Sequence, residues 1–455
     1  MTITAHPGPD RPAGSDDAPT GGSGSTGGTA PAPVPELPAE AVEEWRTEEA
    51  ELVDLLSRAH RHLGGVAAFR IGPRPTVLVT DPEAVQHVLG RHPERYVKRS
   101  HRARVLTGEG VLSATGDAWR NQRRALQAQF TGTGMRRHEQ RIAAAAHRAA
   151  DRWAAYARTG ETLDVGDEMR HFALDTIWRA LTGHPLDPAT AHELDRIAAV
   201  VAALPQLPSD GDRAHEAVAA DLARIDAVAH AAIDTARHRE DGPDGPGVLR
   251  VLLDAAEHDP AYTDRLIRDE LVTLLVAGHE TTATTLTWLY LLLDRNPEAR
   301  TWALAAGPEG SPERREAVQA LVSETLRLYP SAWILPRHAL TDDTLAGHRV
   351  EAGTDLLVCP YLTHRDPVLW PDPGHFDPTR FTAGGARPAH LAAYFPFGLG
   401  ARACLGTQFA LRESTAVLEL LLPAHRVEFL STPAGATYSI TVRPDGPTPA
   451  VLTGP

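Results

Sequence analysis

The sequence predicts a mainly α-helical protein with small β-sheets, and three observations carry that expectation. The middle of the chain, roughly Trp119 to Leu328, repeats apolar residues at helical spacing and is rich in Ala, Leu, Arg and Glu. Short β-rich runs lie before and after it. The longest periodic segment starts at Thr263 or Asp264, a plausible N-cap, and ends at Asn296, where Pro297 stops it and opens another helix. At about 1.5 Å per residue that helix spans about 50 Å, enough to cross the whole molecule.

The remaining elements follow in order. Met1 to about Pro35 is almost wholly Gly, Pro, Ser, Thr, Ala and Asp with no aromatic anchor, so residues 1–36 are expected to form a disordered tail and residues 37–455 one domain. Val66 to Ile71 and Thr76 to Val79 read as a hairpin around Gly72-Pro-Arg-Pro75, and Asp81-Pro-Glu83 as the start of a helix. Asp241-Gly-Pro-Asp-Gly-Pro-Gly247 is a short punctuation rather than a domain linker. After Pro330 the pattern changes to short strands and turns over Val350 to Val358 and a Pro/Asp-rich coil from His364 to Phe381. A helix from about Gly406 to Leu422 follows, then closing strands at Val427 to Leu430 and Tyr438 to Val442.

Composition narrows the function. Acidic side chains outnumber basic ones by 59 to 45, a net charge of -14, which excludes a nucleic-acid footprint over the whole protein. Cys359 and Cys404 are the two cysteines, too few for a disulfide framework and fitting a reducing cytosol. No secretory leader and no run of about 20 apolar residues is present, so a cytoplasmic protein without a membrane span is expected. The histidines, among them His60, His62, His279, His338, His364 and His375, lack zinc-like spacing.

Two segments carry chemistry. Phe395-Pro-Phe-Gly-Leu-Gly-Ala-Arg-Ala-Cys-Leu-Gly406 lies between coil and the last helix, with glycines at 398, 400 and 406 where the backbone must turn or approach something closely. A cysteine just ahead of a helix N-terminus has its thiolate favoured by the dipole and the free N–H groups, and such a sulfur can hold iron. An isolated cysteine is more often a buried apolar residue, a reading that suits Cys359 inside an apolar strand. In the long helix, Ala277-Gly-His-Glu-Thr-Thr282 interrupts apolar sequence with a small pair, an acid and two hydroxyls. Glycine costs about 1 kcal/mol there and a threonine hydroxyl can bond back to a carbonyl, so a local distortion is expected. Taken alone, Glu280 could equally lie on a solvated face.

Phe397, Gly398, Gly400, Arg402, Cys404 and Gly406 together resemble the cysteine-loop motif of the cytochrome P450 family at every fixed position. The resemblance continues in family order. Ala277 to Thr282 is similar to the oxygen-activation motif, Glu324 and Arg327 to the Glu-x-x-Arg pair, Arg380 to its partner in the meander, and Trp119 with Arg123 to a propionate-binding pair. It covers nearly the whole chain after the tail. It implies a triangular prism with haem b (iron protoporphyrin IX) between the long helix and the cysteine loop.

By the same resemblance Cys404 is the axial iron ligand, Phe397 shields the sulfur, and Trp119, Arg123, Arg337 and Arg402 bind propionates. Gly398, Gly406 and Ala277 border the cofactor, and Glu280 and Thr281 relay protons for oxygen activation. That acid–alcohol pair disfavours a dedicated peroxide-using member. Glu324, Arg327 and Arg380 hold the fold. Thr273, Val276, Ala277, Trp333, Ile334 and Leu335 face the substrate, with entrance elements around Val97 to Leu112 and Leu186 to Arg237. His364 stands where many relatives carry Asn.

The implied reaction uses O2 to hydroxylate a hydrophobic small molecule, a natural-product intermediate such as a terpenoid or, next, a polyketide. No flavin or iron–sulfur domain fits in the remaining residues, so NAD(P)H electrons come through a ferredoxin and its reductase. Arg120, Arg124, Arg136 and Arg137 offer the docking charge, and the protein is expected to act as a monomer. Two other readings stay open: the same haem could catalyse rearrangement, coupling or dehydration, or the protein could bind a haem ligand without catalysis.

Overall fold

A computed structural model describes residues 31–454 except 49, 73, 99–100, 205–210, 239–242 and 244. The first thirty residues of the expected tail, part of the 241–247 punctuation and parts of both entrance stretches therefore lie outside the described residues. The tail ends earlier than the composition suggested. Ala32–Pro33 pairs with His348–Arg349, Glu36 bridges Ala68, and Leu37 is buried. Strand pairing satisfies backbone groups whatever the side chains, so a polar, proline-rich stretch can still be fixed.

The molecule is helical through its middle, as expected. Thr263 accepts the Leu266 N–H as N-cap of the helix Asp264–Arg295, and Pro297 begins the next helix, Pro297–Ala305. From Ile267 to Leu293 most of the long helix is buried, because other helices cover it on several sides. Val165–Thr182 packs closest. A Cβ placed on Gly278 would lie 2.7 Å from Ile177 Cγ1, so the glycine is what lets the two helices touch. Gly132–Thr159 and Thr407–Ala424 complete this body, with Trp153 fully buried and tilted against Tyr290 of the long helix.

A five-stranded sheet lies to one side. Val66–Phe69 pairs antiparallel with Thr76–Val79, which runs parallel to Asp355–Val358; beyond that come Leu335–Ala339 and Tyr96–Val97, both antiparallel. Asp81 caps Pro82–Gln86 by accepting the Ala84 N–H. One strand expectation holds and one needs correction. The run Val350 to Val358 is split into His348–Val350 and Asp355–Val358 by a turn in which Gly353 takes φ +85°. Residues 438–442 are not one strand but the bend of a hairpin between Ala436–Tyr438 and Val442–Pro444. In the second case a β-rich run hid a reversal that only tertiary pairing reveals. Cys359 lies just past its strand, at the N-cap of Pro360–Thr363, and is fully buried.

Candidate active site

A cavity of about 1610 Å³ separates the long helix from the cysteine loop, and residues from both line it. The loop enters through backbone reversals at Gly398 (φ +70°) and Gly400 (φ +68°). At Gly400 a side chain would collide with the Leu89 carbonyl oxygen, 2.2 Å from the Cβ position. The Cys404 N–H donates to the Phe397 carbonyl (2.7 Å), and the helix Thr407–Ala424 starts three residues on. Cys404 is exposed only because it borders the cavity. Burial pushes its thiol pKa up, while the Gly406 N–H, the Thr407 hydroxyl, Arg123 and Lys98 pull it down. Such surroundings favour an anionic sulfur once a metal takes the proton's place.

The same cavity is lined by the turn that contains Ala277 and Thr281. The Thr281 hydroxyl donates to the Ala277 carbonyl (2.8 Å), and the Thr281 carbonyl accepts from Thr285 Oγ1 and Ser331 Oγ, each at 2.9 Å. The back-bond expected from the sequence is present. The break in the helix is not, since residues 264–295 are α-helical throughout. Hydroxyl bonds add to this turn without replacing its ladder. Glu280 is buried, its Oε1 3.9 Å from Arg443 and its Oε2 3.9 Å from His279 Nε2 with no hydrogen-bond partner. It is therefore not on a solvated face.

At the cavity's edge four cations gather. Lys98, Arg123, Arg337 and Arg402 all line it, the Arg402 guanidinium lies 3.9 Å over the Trp119 ring, and Arg123 Nε is buried without a partner. Burial lowers the pKa of Lys98 to about 7, helped by Arg337 and Arg402. It lowers Arg337 to about 10 with help from Arg402, and Arg402 to about 10 with help from Arg123. Four cations, none of them ion-paired among the described residues, make sense if an anionic group belongs among them. The donor set therefore fits haem: a sulfur for the iron, and cations and an indole N–H for two propionates.

Every residue expected in the substrate pocket borders this cavity: Thr273, Val276, Ala277, Trp333, Ile334 and Leu335. Trp333 is only 1% exposed and donates its N–H to the Ser439 carbonyl, so it is a fixed wall. Glu324 and Arg327 are fully buried and doubly bonded at 2.7 and 2.8 Å, with Arg380 Nε 3.6 Å from Glu324. His364 is no ordinary surface histidine. It is fully buried, accepts the Phe395 N–H through Nε2 (2.9 Å), and burial drives its pKa to about 3.

Sequence reading missed Lys98, Ser331 and Glu413. Lys98 is the only lysine in the chain, a signal that composition offered. Glu413 is fully buried, accepts the Thr282 hydroxyl at 2.7 Å, and burial raises its pKa well above the ordinary carboxyl value. Glu413 shares its helix with Gln408, Arg412 and Glu419, so no local signal marked it. Ser331 had none.

The comparisons agree with this geometry. Residues 41–436 match the family profile described as Cytochrome P450. The chain is 31% identical to cyclooctatin synthase of Streptomyces melanosporofaciens over 78% of this chain and 81% of that one. It is 29% identical to pentalenene oxygenase of Streptomyces avermitilis, over 88% and 91%. Among solved structures it superposes on CYP175A1 from Thermus thermophilus with a TM-score of 0.72 at 30% identity, covering 92% of this chain and 100% of that one. On the P450 CYP102L1 the TM-score is 0.80 at 24% identity, over 94% and 100%. With the cysteine loop, the acid–alcohol turn and the cation cluster on one cavity, and with this match over most of its length, the chain belongs to the cytochrome P450 family of haem-dependent monooxygenases.

Proposed function

We propose that this enzyme hydroxylates a hydrophobic terpenoid intermediate, with Cys404 as axial ligand of haem b. The observation that carries the reading is that Cys404, the Ala277–Thr281 turn and the cations Lys98, Arg123, Arg337 and Arg402 all line one cavity. Haem bound there supplies the reduction of O2 and the transfer of one oxygen atom to the substrate. Lys98, Trp119, Arg123, Arg337 and Arg402 would hold its propionates, and Phe397 would cover the sulfur. Glu280 and Thr281 would carry protons in, Glu280 accepting from the Arg443 side and the Thr281 hydroxyl holding the last proton before the reacting centre. Glu324, Arg327 and Arg380 act on the fold.

Terpenoid chemistry is supported by the aliphatic wall of Val111, Leu112, Ile177, Val276, Ile334 and Leu335, and by the relatives above, whose names refer to cyclooctatin and pentalenene. Electrons would come from a ferredoxin and its reductase, with the protein a cytoplasmic monomer. Arg120, Arg124, Arg136 and Arg137 are exposed on Gly116–Gln127 and Gly132–Thr159. The second of these helices is tied to the helix after Cys404 by the Arg412–Glu139 pair, which supports docking of an acidic partner near the cysteine loop. Among the described residues no helix is long and apolar enough to cross a membrane.

The carbon monoxide difference spectrum of the reduced holoenzyme tests the ligand. A strongly red-shifted Soret band is expected, and a band typical of histidine-ligated haem in folded protein would overturn the assignment. A spectral titration with cyclic sesquiterpenes and with macrolactones tests the substrate class. A Soret shift with the lactones alone would replace the terpenoid reading.

A further inference from the structure

Residues 107–114 form one side of the cavity, through Gly108, Val111 and Leu112. They are held against the long helix by an acid pair that the chemistry above does not use. Asp269 and Glu270 are buried, at 3% and 0% exposure. The Glu109 N–H donates to Asp269 Oδ2 (2.9 Å) and the Val111 N–H to Glu270 Oε2 (3.0 Å). Arg268 donates both to Asp269 and to the Leu106 carbonyl, and Gln122 donates to the Glu109 carbonyl. The fit has no slack. A Cβ on Gly108 would lie 2.1 Å from Asp269 Oδ2, and one on Gly110 would lie 2.2 Å from Thr273 Oγ1 and 2.7 Å from the Asp269 carbonyl. At the far end, Arg402 of the cation cluster donates to the Ala114 carbonyl (2.8 Å). The segment is strung between the long helix and the cofactor cradle.

We propose that Asp269 and Glu270 are positioning residues for the substrate, clamping residues 107–114 to the long helix and thereby fixing the pocket wall made by Val111 and Leu112. The proposal rests on the reading of the cavity as the substrate pocket. Two carboxyl groups side by side in a buried clamp also make its strength depend on protonation. The titratable groups around Glu270 are Asp269 on its own helix, Tyr262 just before that helix with an unpartnered hydroxyl, Arg268, and Glu109 paired with Arg104 on the clamped segment.

Burial, and then Asp269, raise the Glu270 pKa to about 7, against the pull of the Val111 N–H. Opening the clamp to water returns the carboxyl toward its ordinary value, so loss of the proton favours the open arrangement. Linkage then makes the open arrangement up to about tenfold more populated at pH 8.5 than at pH 6.

The test uses the holoenzyme with 4-phenylimidazole in the pocket. The reduced complex is mixed with excess carbon monoxide in a stopped-flow instrument, and the rate of the carbon monoxide spectrum's appearance reports dissociation of the azole. In the wild type the rate is expected to rise at least fivefold from pH 6 to 8.5. In Glu270→Gln, which keeps the acceptor for Val111 and cannot ionise, the rate stays flat at the low-pH value. A flat wild-type profile, or an unchanged slope in Glu270→Gln, would overturn the clamp. The final band in each trace reads the thiolate independently, so a flat profile with a normal band counts against the clamp alone. Should Glu270→Gln fail to load haem, the wild-type profile still decides.

Discussion

Removing Glu324 tests how the meander is held beneath the haem pocket. Its carboxylate accepts from Arg327 Nε (2.7 Å), Arg327 Nη2 (2.8 Å) and the Asp377 N–H (2.9 Å), and it faces Arg380 at 3.6 Å, all in a fully buried site. Glu324→Ala strands two guanidinium groups and a backbone donor, and stranding one partner of a buried pair costs about 3–5 kcal/mol. Glu324→Gln still accepts the Asp377 N–H and one Arg327 bond, so about half that loss is expected. Arg327 does more than pair with Glu324, donating to the carbonyls of His364, Pro373 and His375 at 2.8–3.0 Å. Arg327→Met therefore leaves three acceptors unmet, and adding Glu324→Gln to it should cost little more. Thermal inactivation rates of the four haem-loaded proteins, read at a common temperature, form the cycle. Additive losses in the double variant, within about 0.5 kcal/mol, would refute the shared network.

Three further outcomes are expected. Gly278→Ala pushes a methyl into Ile177 and should cost about 1–3 kcal/mol of stability, measured by thermal unfolding and recovered in part by Ile177→Ala, which removes the colliding carbon. Lys98→Met removes one propionate partner and should speed haem transfer to apomyoglobin roughly tenfold or more, while the carbon monoxide band stays red-shifted. Stability should fall as pH rises from about 4.5 to 7, because folded Glu270 keeps its proton where the unfolded carboxyl loses it, so the unfolded state binds fewer protons there. The window carries at most about 3 kcal/mol, and Glu270→Gln should flatten its share of the unfolding profile.

The helical body and the cysteine loop were legible because their signals are local. Periodicity marked the long helix to within a residue, and the spaced glycines around Cys404 marked a loop that must reverse twice. What depends on chain-distant packing was not legible. Whether Glu280 faces solvent or the interior was open until Arg443 and His279 stood beside it. The hairpin bend at residues 439–441 reads as β-rich sequence, and only its pairing separates a bend from a strand. Nothing near Asp269 and Glu270 in sequence singles them out; the two N–H groups that give them a task lie about 160 residues earlier in the chain.

Lys98 has a use at the bench. Since all other basic side chains of the protein are arginine or histidine, the chain offers one amine besides its α-amino group to an acylating reagent. That amine lies at the edge of the cavity among Arg337, Arg402 and Arg123. Mass spectrometry of the peptide that carries residue 98 after brief acylation would thus serve as a gauge of cofactor loading. Cofactor-free molecules take the tag, loaded ones are shielded, and the ratio of the two counts occupancy without reference to colour or turnover.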